Sequence, residues 1–274
     1  MITRSPESIR HHYEVERRLA SRLRDADPSA RRQMYPRVYD ELYSCVPDIP
    51  HLAASAGPNR DKDVAALVAF LTPFISGKQT FLELGPGDFK LSIAVSELVR
   101  KVYAADVTDE VVRSLSLPSR VQFVPTDGFE FDVPASTVDV AFSDQVLEHL
   151  HPDDAAAQMS AVRSLLAPGG VYICITPNRL YGPHDISQYF DAVATGLHLK
   201  EYAVSEVVRL FRRCGFSSVK AYSVTDAQSN RRVPLAAVAA VERCLDALPV
   251  RLRRGLACSA GLKWLLRARV VGYK

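Results

Sequence analysis

No apolar run in this chain approaches the roughly 18 residues that a membrane-spanning helix needs. The longest, residues 233–241, is interrupted by Pro234. Cysteine is sparse: Cys45, Cys174, Cys214, Cys244 and Cys258 are odd in number, widely spaced and without a CxxC pair. That excludes a disulfide scaffold and a cysteine zinc site and fits a reducing compartment. The first twenty residues carry Arg4, Glu7, Arg10, Glu14, Glu16, Arg17 and Arg18 and no apolar stretch, so no secretory signal is expected. The protein is read as soluble and cytoplasmic. A formal net charge of +3 is too small to imply a nucleic-acid partner.

What is present suits a globular core, with 47% hydrophobic and 24% charged residues, enough for one large domain with appended elements. Charge is unevenly spread. Residues 250–274 hold seven Lys or Arg and no acid, which reads as a solvated helix face followed by an edge strand, or as a weak contact with an anionic membrane surface. Trp264 with Leu262, Leu265 and Leu266 forms a packing stripe there, bordered by Arg253, Arg254, Lys263 and Arg267. The sequence sets no oligomeric state; a dimer is compatible with it.

Residues 1–60 read as a helical N-terminal cap, broken into short helices by Pro28, Pro36, Pro47 and Pro50. From residue 61 to 274 the pattern is that of a single α/β domain. After a helix over 64–74, the first strand is TFLEL at 80–84, followed by a helix from about 88 to 100. Strand KVYAAD (101–106), a helix from Asp109, strand VQFVP (121–125) and strand VDVAFS (138–143) come next, then helical segments and strand VYICITP (171–177). Short apolar strands alternating with helices predict a doubly wound, seven-stranded, mainly parallel sheet. Gly169-Gly170 is taken as a turn before the strand. A helix over 203–214 leads to a strand at 216–224, one or two helices over 230–265 and a final strand ARVVGYK. Segments 178–202 and 225–266 are read as insertions on the acceptor side.

The chemistry starts where the first strand runs into Glu83-Leu84-Gly85-Pro86-Gly87-Asp88. Two glycines let backbone approach a ligand closely at a helix start. Asp106, twenty-one residues beyond Gly85 and at the end of the second strand, can accept from both hydroxyls of a ribose. A dinucleotide-binding dehydrogenase would require a third glycine or alanine, yet position 90 is Lys90. Glu83 also opposes a pyrophosphate and favours a ligand bearing an ammonium. S-adenosylmethionine has an ammonium, a ribose and no phosphate.

FLELGPGD, Asp106, the pair Asp127-Gly128, VDVAFSDQVLEHL and LLAPGGVYICITPN together resemble class I, Rossmann-like S-adenosylmethionine-dependent methyltransferases over residues 80–224. The segments PNRLYGPHDISQYFD and GLHLKEY resemble a bacterial subgroup that modifies glycans, lipids or secondary metabolites. The resemblance implies that Glu83, Gly85 and Gly87 border the methionine part, Asp106 the ribose, and Asp127 and Gly128 the adenine. Ser143, Asp144 and Gln145 would lie near the sulfonium. The N-terminal helices and the late helices would form a lid over a small-molecule or lipid-like acceptor.

A hydroxyl acceptor needs a base of near-neutral pKa, for which histidine is suited. His151, His149 and His184 are the candidates, with His151 first because it stands three residues after Glu148; His198 is a fourth. Each could instead cap or pack a helix or hold a turn. Tyr181, Tyr189 and Tyr202 could line an aromatic pocket, and Asn178 and Asp185 could bind polar groups or cap turns. No metal is expected: of Asp144, Asp153, Asp154 and Asp185, the Asp153-Asp154 pair reads as a helix N-terminus. Transfer to carbon or nitrogen, a non-catalytic cofactor-binding module and a dehydrogenase are the alternatives. The absence of an NPPY-like tetrapeptide after the fourth strand lowers base or amide methylation.

Overall fold

The computed structural model describes residues 4–48, 59–224 and 230–274. Pro50 with residues 49–58 of the expected cap, and residues 225–229 of the expected insertion, lie outside the described residues, and the expected 60/61 boundary falls in the first turn of the helix Arg60–Leu71. The N-terminal region forms two long helices, α1 (Pro6–Asp25) and α2 (Pro28–Cys45). Ser5 caps the first through the N–H of Ser8, and Asp27 caps the second through Ser29 and Ala30. Pro28 starts α2 rather than interrupting it. Pro36 lies inside α2 without ending it, contrary to the expectation of short broken helices. A proline costs the helix one N–H, and here the buried side chains Tyr35, Val38 and Leu42 hold the surrounding turns.

The remaining elements are α3 (Arg60–Leu71), β1 (Thr80–Leu84), α4 (Lys90–Ser96), β2 (Lys101–Asp106), β3 (Val121–Pro125), β4 (Val138–Asp144), α5 (Pro152–Leu165) and β5 (Leu166–Ile175). They are followed by α6 (Val204–Arg213), β6 (Ser218–Val224), β7 (Asn230–Val233), α7 (Leu235–Asp246), α8 (Val250–Ala257), α9 (Ala260–Leu266) and β8 (Arg269–Tyr273). The sheet has eight strands in the order β3-β2-β1-β4-β5-β8-β6-β7. β1 to β5 run parallel, whereas β8 pairs antiparallel with both β5 and β6.

Four expectations are corrected. The strand count is eight rather than seven, because Asn230–Val233 adds an antiparallel edge to β6. β8 is internal, with Val270 and Val271 fully covered, so the basic tail does not end in an edge strand. Gly169 and Gly170 lie within β5, where its register against β4 jumps from Val138↔Leu166 to Val140↔Val171; they form a bulge rather than a turn before the strand. After Asp109 the chain makes a single 3-10 turn, Val112–Ser114, in place of the expected helix.

Side-chain alternation along the strands sorts the core into two layers. Phe81, Val102, Ala104, Val140, Phe142 and Ile173 point to the face covered by α3 and α4. Leu82, Leu84, Tyr103, Ala105, Ala141 and Tyr172 point to the opposite face, covered by α1, α2, α5 and α6. Thus the N-terminal helices belong to the core of one face. A third, small cluster joins Leu180 to Leu245, Ala257 and Leu266 of α7, α8 and α9.

A tight point in this apolar packing is Gly272 of β8. A Cβ there would stand 2.2 Å from Phe211 Cδ1, 2.6 Å from its Cε1 and 2.8 Å from Phe216 Cδ1. Gly272→Ala is therefore expected to destabilise the fold by about 1–3 kcal/mol through overpacking. Denaturant unfolding of the two proteins measures it, and an unchanged midpoint would refute the packing argument.

Candidate active site

The strand order reverses between β1 and β4, so the helices that follow these neighbours leave a crevice at the carboxyl ends of β1, β2 and β4. A cavity of about 370 Å³ occupies it. Its floor is the turn after β1, where Gly85, Gly87 and Phe89 all have positive φ (63°, 56° and 61°). A side chain at Gly85 would press its Cβ to 2.7 Å from Val146 Cγ2, while the space above Gly87 is open. The backbone there is bare toward the cavity.

Asp106 lines one side, accepting the N–H of Thr108 at 3.2 Å; burial, the larger effect, raises its pKa against the pull of neighbouring N–H groups of Thr108, Val107 and Gly87. Asp127 lines the far end, and its Oδ1 accepts the N–H groups of Phe129 (2.8 Å) and Glu130 (2.7 Å). Gly128 (φ 91°) is fixed beside it by Gln158, whose Nε2 donates to the Gly128 carbonyl at 3.0 Å. The wall opposite the sheet comes from α2: Tyr35, Tyr39 and Tyr43. No local sequence pattern marked these tyrosines as site residues.

Two further expected residues sit behind the surface. Glu83 is buried and accepts from Ser92 Oγ at 2.5 Å. Burial pushes its pKa up to about 8, against the Ser92 hydrogen bond, with Asp144 adding to the rise. Ser143 is buried against Tyr172, their hydroxyls 2.9 Å apart, and supports β4 from below. Asp88, next to the glycine turn, is held by a bidentate pair from Arg60, at 2.6 and 2.8 Å.

A second cavity, of about 730 Å³, lies under α1 and the 178–202 segment. It shares Tyr39, Tyr43, Gln145 and His149 with the first. Gln145 stands in the left-handed region at φ 58°, a conformation side chains rarely adopt and one that collects at functional sites. Glu16 and Arg24 of α1 hold the roof: Glu16 accepts the N–H of Leu197 at 3.1 Å, and Arg24 donates to the carbonyls of Thr195 and Gly196 at 3.2 and 3.3 Å. Tyr13 adds a 2.7 Å bond to Asp191 and stacks on Phe190 with ring centres 4.3 Å apart.

The histidines separate into distinct places. His149 borders both cavities, with Nδ1 3.1 Å from the Leu197 carbonyl. His184 lines the second cavity, and both its backbone N–H and its ring meet Glu201, at 2.6 and 3.2 Å. His198 lies beside it, 2.9 Å from the other Glu201 oxygen. Burial alone would raise the Glu201 pKa, but the hydrogen bonds from His184 and His198 bring it to about 2. His151 is elsewhere: it is the N-cap of α5, its ring accepts the N–H of Asp153 at 3.3 Å, and it borders neither cavity. Asp154 is taken up by Arg31 (2.6 and 3.0 Å) and Tyr35 (2.7 Å), and Asp185 caps the turn at Ser187.

This geometry meets matching findings from known proteins. A family model described as a methyltransferase domain matches residues 57–221. The chain belongs to that family, whose methyl donor is S-adenosylmethionine. A Mycolicibacterium smegmatis protein named probable S-adenosylmethionine-dependent methyltransferase is 29% identical over 136 residues, which are 49% of this chain and 51% of that protein. The chain thus matches about half the length of this curated relative. A methyltransferase structure from Archaeoglobus fulgidus superposes with TM-score 0.53 at 16% identity, over 78% of this chain and 94% of that one. The Burkholderia thailandensis 1,6-didemethyltoxoflavin-N1-methyltransferase, with its substrate and S-adenosylhomocysteine bound, gives 0.53 at 18% identity over 91% of both chains. These structures share the fold. The residues fit the donor: a bare glycine turn, a ribose-competent Asp106 and buried acids suited to a cation.

Glu83 makes stability depend on pH. Its folded pKa of about 8 exceeds the ordinary 4.5, so the stability linked to its protonated form is complete below 4.5 and is lost as pH rises through 8. Glu83→Gln should flatten the decline in melting temperature over that window. Parallel slopes in wild type and variant, measured by differential scanning calorimetry, would contradict the assignment.

Proposed function

We propose that the chain transfers the methyl group of S-adenosylmethionine to a hydroxyl of a small-molecule acceptor of sugar, lipid or secondary-metabolite type. The observation that carries this reading is the shared wall: two adjoining cavities meet at Tyr39, Tyr43, Gln145 and His149. The first has the donor's features and the second has room and polar groups for an acceptor.

Asp106 would hold the ribose, Gly85 and Gly87 the methionyl part with Glu83 behind them, and Asp127 and Gly128 the adenine end. Ser143 acts through β4, since its hydroxyl is engaged by Tyr172. When bound, S-adenosylmethionine supplies a methyl carbon activated by its sulfonium, and transfer leaves the carbon–sulfur electron pair on sulfur. The chain's own contribution is alignment in a site shielded from water, which is worth several kcal/mol and up to about 10. The helices α1 and α2 and the 178–202 segment provide that shield. His149 marks the part of the wall where the acceptor hydroxyl would be presented. His184, seated on Glu201, takes the proton that the hydroxyl loses. His151 supports α5 and stays outside the reaction in this reading.

Asp106→Ala should weaken S-adenosylhomocysteine binding about 10- to 100-fold, the loss expected for hydrogen bonds to a charged acceptor. Isothermal titration calorimetry reads it, and unchanged affinity would place the ribose elsewhere. Incubation with S-adenosylmethionine and a panel of phenolic, sugar and lipid hydroxyl compounds should yield a methyl ether and equal S-adenosylhomocysteine by mass spectrometry. A product methylated on nitrogen or carbon would overturn the hydroxyl assignment.

A further inference from the structure

Behind the shared wall lies a group of side chains that simple acceptor binding does not require. Glu148 and His149 occupy the 3-10 turn Leu147–His149 that follows β4. His198 comes from the 178–202 segment, fifty residues along the chain, and the N–H of Lys200 donates to the Glu148 carbonyl at 3.1 Å to seat that segment on the turn. One ligand atom from each of Glu148, His149 and His198 lies within 4.8 Å of the others.

Three features separate this cluster from an ordinary histidine–carboxylate contact. Glu148 is 0% exposed, and its Oε1 is buried without a side-chain hydrogen-bond partner among the described residues, while Oε2 accepts from Thr176 at 2.9 Å. Both imidazoles are anchored through Nδ1, one at the Leu197 carbonyl (3.1 Å) and the other at the Glu201 carboxylate (2.9 Å). Oxygens of these kinds accept, so each Nδ1 carries the hydrogen and Nε2 keeps the lone pair when the ring is neutral. That outer arrangement, a carbonyl or carboxylate behind each ring, is the one that orients metal-ligating histidines. The two rings stand edge to face with centres 4.9 Å apart.

We propose that Glu148, His149 and His198 bind a divalent first-row transition ion of the zinc class. Two imidazoles and one carboxylate suit such ions and leave coordination positions open. Bonds of about 2.1 Å place tetrahedral donors about 3.4 Å apart, so the cluster closes with side-chain shifts on the order of 1 Å. The proposal departs from the metal-free expectation, which weighed Asp144, Asp153, Asp154 and Asp185; those four form no such group among the described residues. It deepens the hydroxyl-transfer reading and rests on it for its purpose. Because His149 borders both cavities, the ion would polarise the acceptor hydroxyl and ease its loss of a proton to His184, after which the oxygen forms its bond to the methyl carbon as the carbon–sulfur bond breaks and its electron pair stays on sulfur.

The test uses the full chain, stripped with a chelator and titrated with zinc alone by calorimetry and with cobalt alone by visible spectroscopy. One ion per chain is expected, with a cobalt spectrum lacking thiolate charge-transfer bands. Glu148→Gln and His198→Gln should each weaken zinc binding at least about 100-fold, whereas Cys244→Ser with Cys258→Ser should leave it unchanged. Circular dichroism checks that the variants fold, and His198→Asn provides a second variant at that position. No stoichiometric binding, or binding indifferent to the Glu148 and His198 changes in folded protein, would overturn the site. A bound ion together with a product methylated on nitrogen or carbon would keep the site and overturn the hydroxyl reading.

Discussion

The reversal of strand order between β1 and β4 is the constraint on which the rest of this molecule depends. Adjacent parallel strands whose following segments depart in opposite directions cannot close over their own carboxyl ends, so a crevice is unavoidable there. Everything with chemical capacity is arranged around it: the glycine turn after β1, Asp106 after β2, Gln145 to His149 after β4. The strands themselves are buried on both faces and present little variation to a ligand. Function therefore resides in what the turns carry and in what covers them.

The cover is made by residues far away in sequence. α2 brings Tyr35, Tyr39 and Tyr43 over the first cavity, and α1 seats the 178–202 segment over the second. The pair Arg31–Asp154, at 2.6 Å and almost wholly buried, ties α2 to α5. Removing two charges from water costs several kcal/mol per ion. Here the cost is offset because Tyr35 and the Ala26 carbonyl complete the hydrogen bonding. Such a pair contributes orientation more than stability, and orientation is what three tyrosines on one helix need in order to form a wall.

How much of this could be read from residues alone follows from the range of the interactions involved. β1, β2, β3 and β4 and the turn at Gly85 and Gly87 are local: apolar runs of strand length and glycines at fixed offsets are visible in a window of ten residues. The order of motifs made the fold legible as well. β7 was hidden because Asn230–Val233 is short and rich in arginine, and it forms an edge only by virtue of β6 beside it. Pro36 misled because a packed helix tolerates what an isolated one does not. At the site, Asp106 and Asp127 line the cavity and could be named from their places after strands. Glu83 and Ser143 occupy the expected strands but point away from it. His149 and His151 are two residues apart, yet one ends a 3-10 turn at the cavities and the other caps α5, and the convergence of His198 on Glu148 depends on a contact across fifty residues that has no local signature.

The crevice also carries an electrostatic bias that explains which ligands it suits. Glu83, Asp106, Asp144 and Glu148 all sit near the carboxyl ends of β1, β2 and β4, and burial raises the pKa of each. Arg60 offsets part of this but is committed to Asp88, and Arg269 opposes the rise at Asp144. Desolvation penalises a charge of either sign, so the discrimination comes from the acids themselves: an added pyrophosphate would hold them protonated and be repelled by any that ionise. A ligand with an ammonium and a sulfonium has the opposite effect, since it favours the charged form of the acids around it and is favoured by them in return. The same glycine turn that could cradle either kind of molecule is thus given its preference by side chains one layer below the surface, and Asp106, in its proposed ribose-binding role, would act on a ligand that the surrounding field favours.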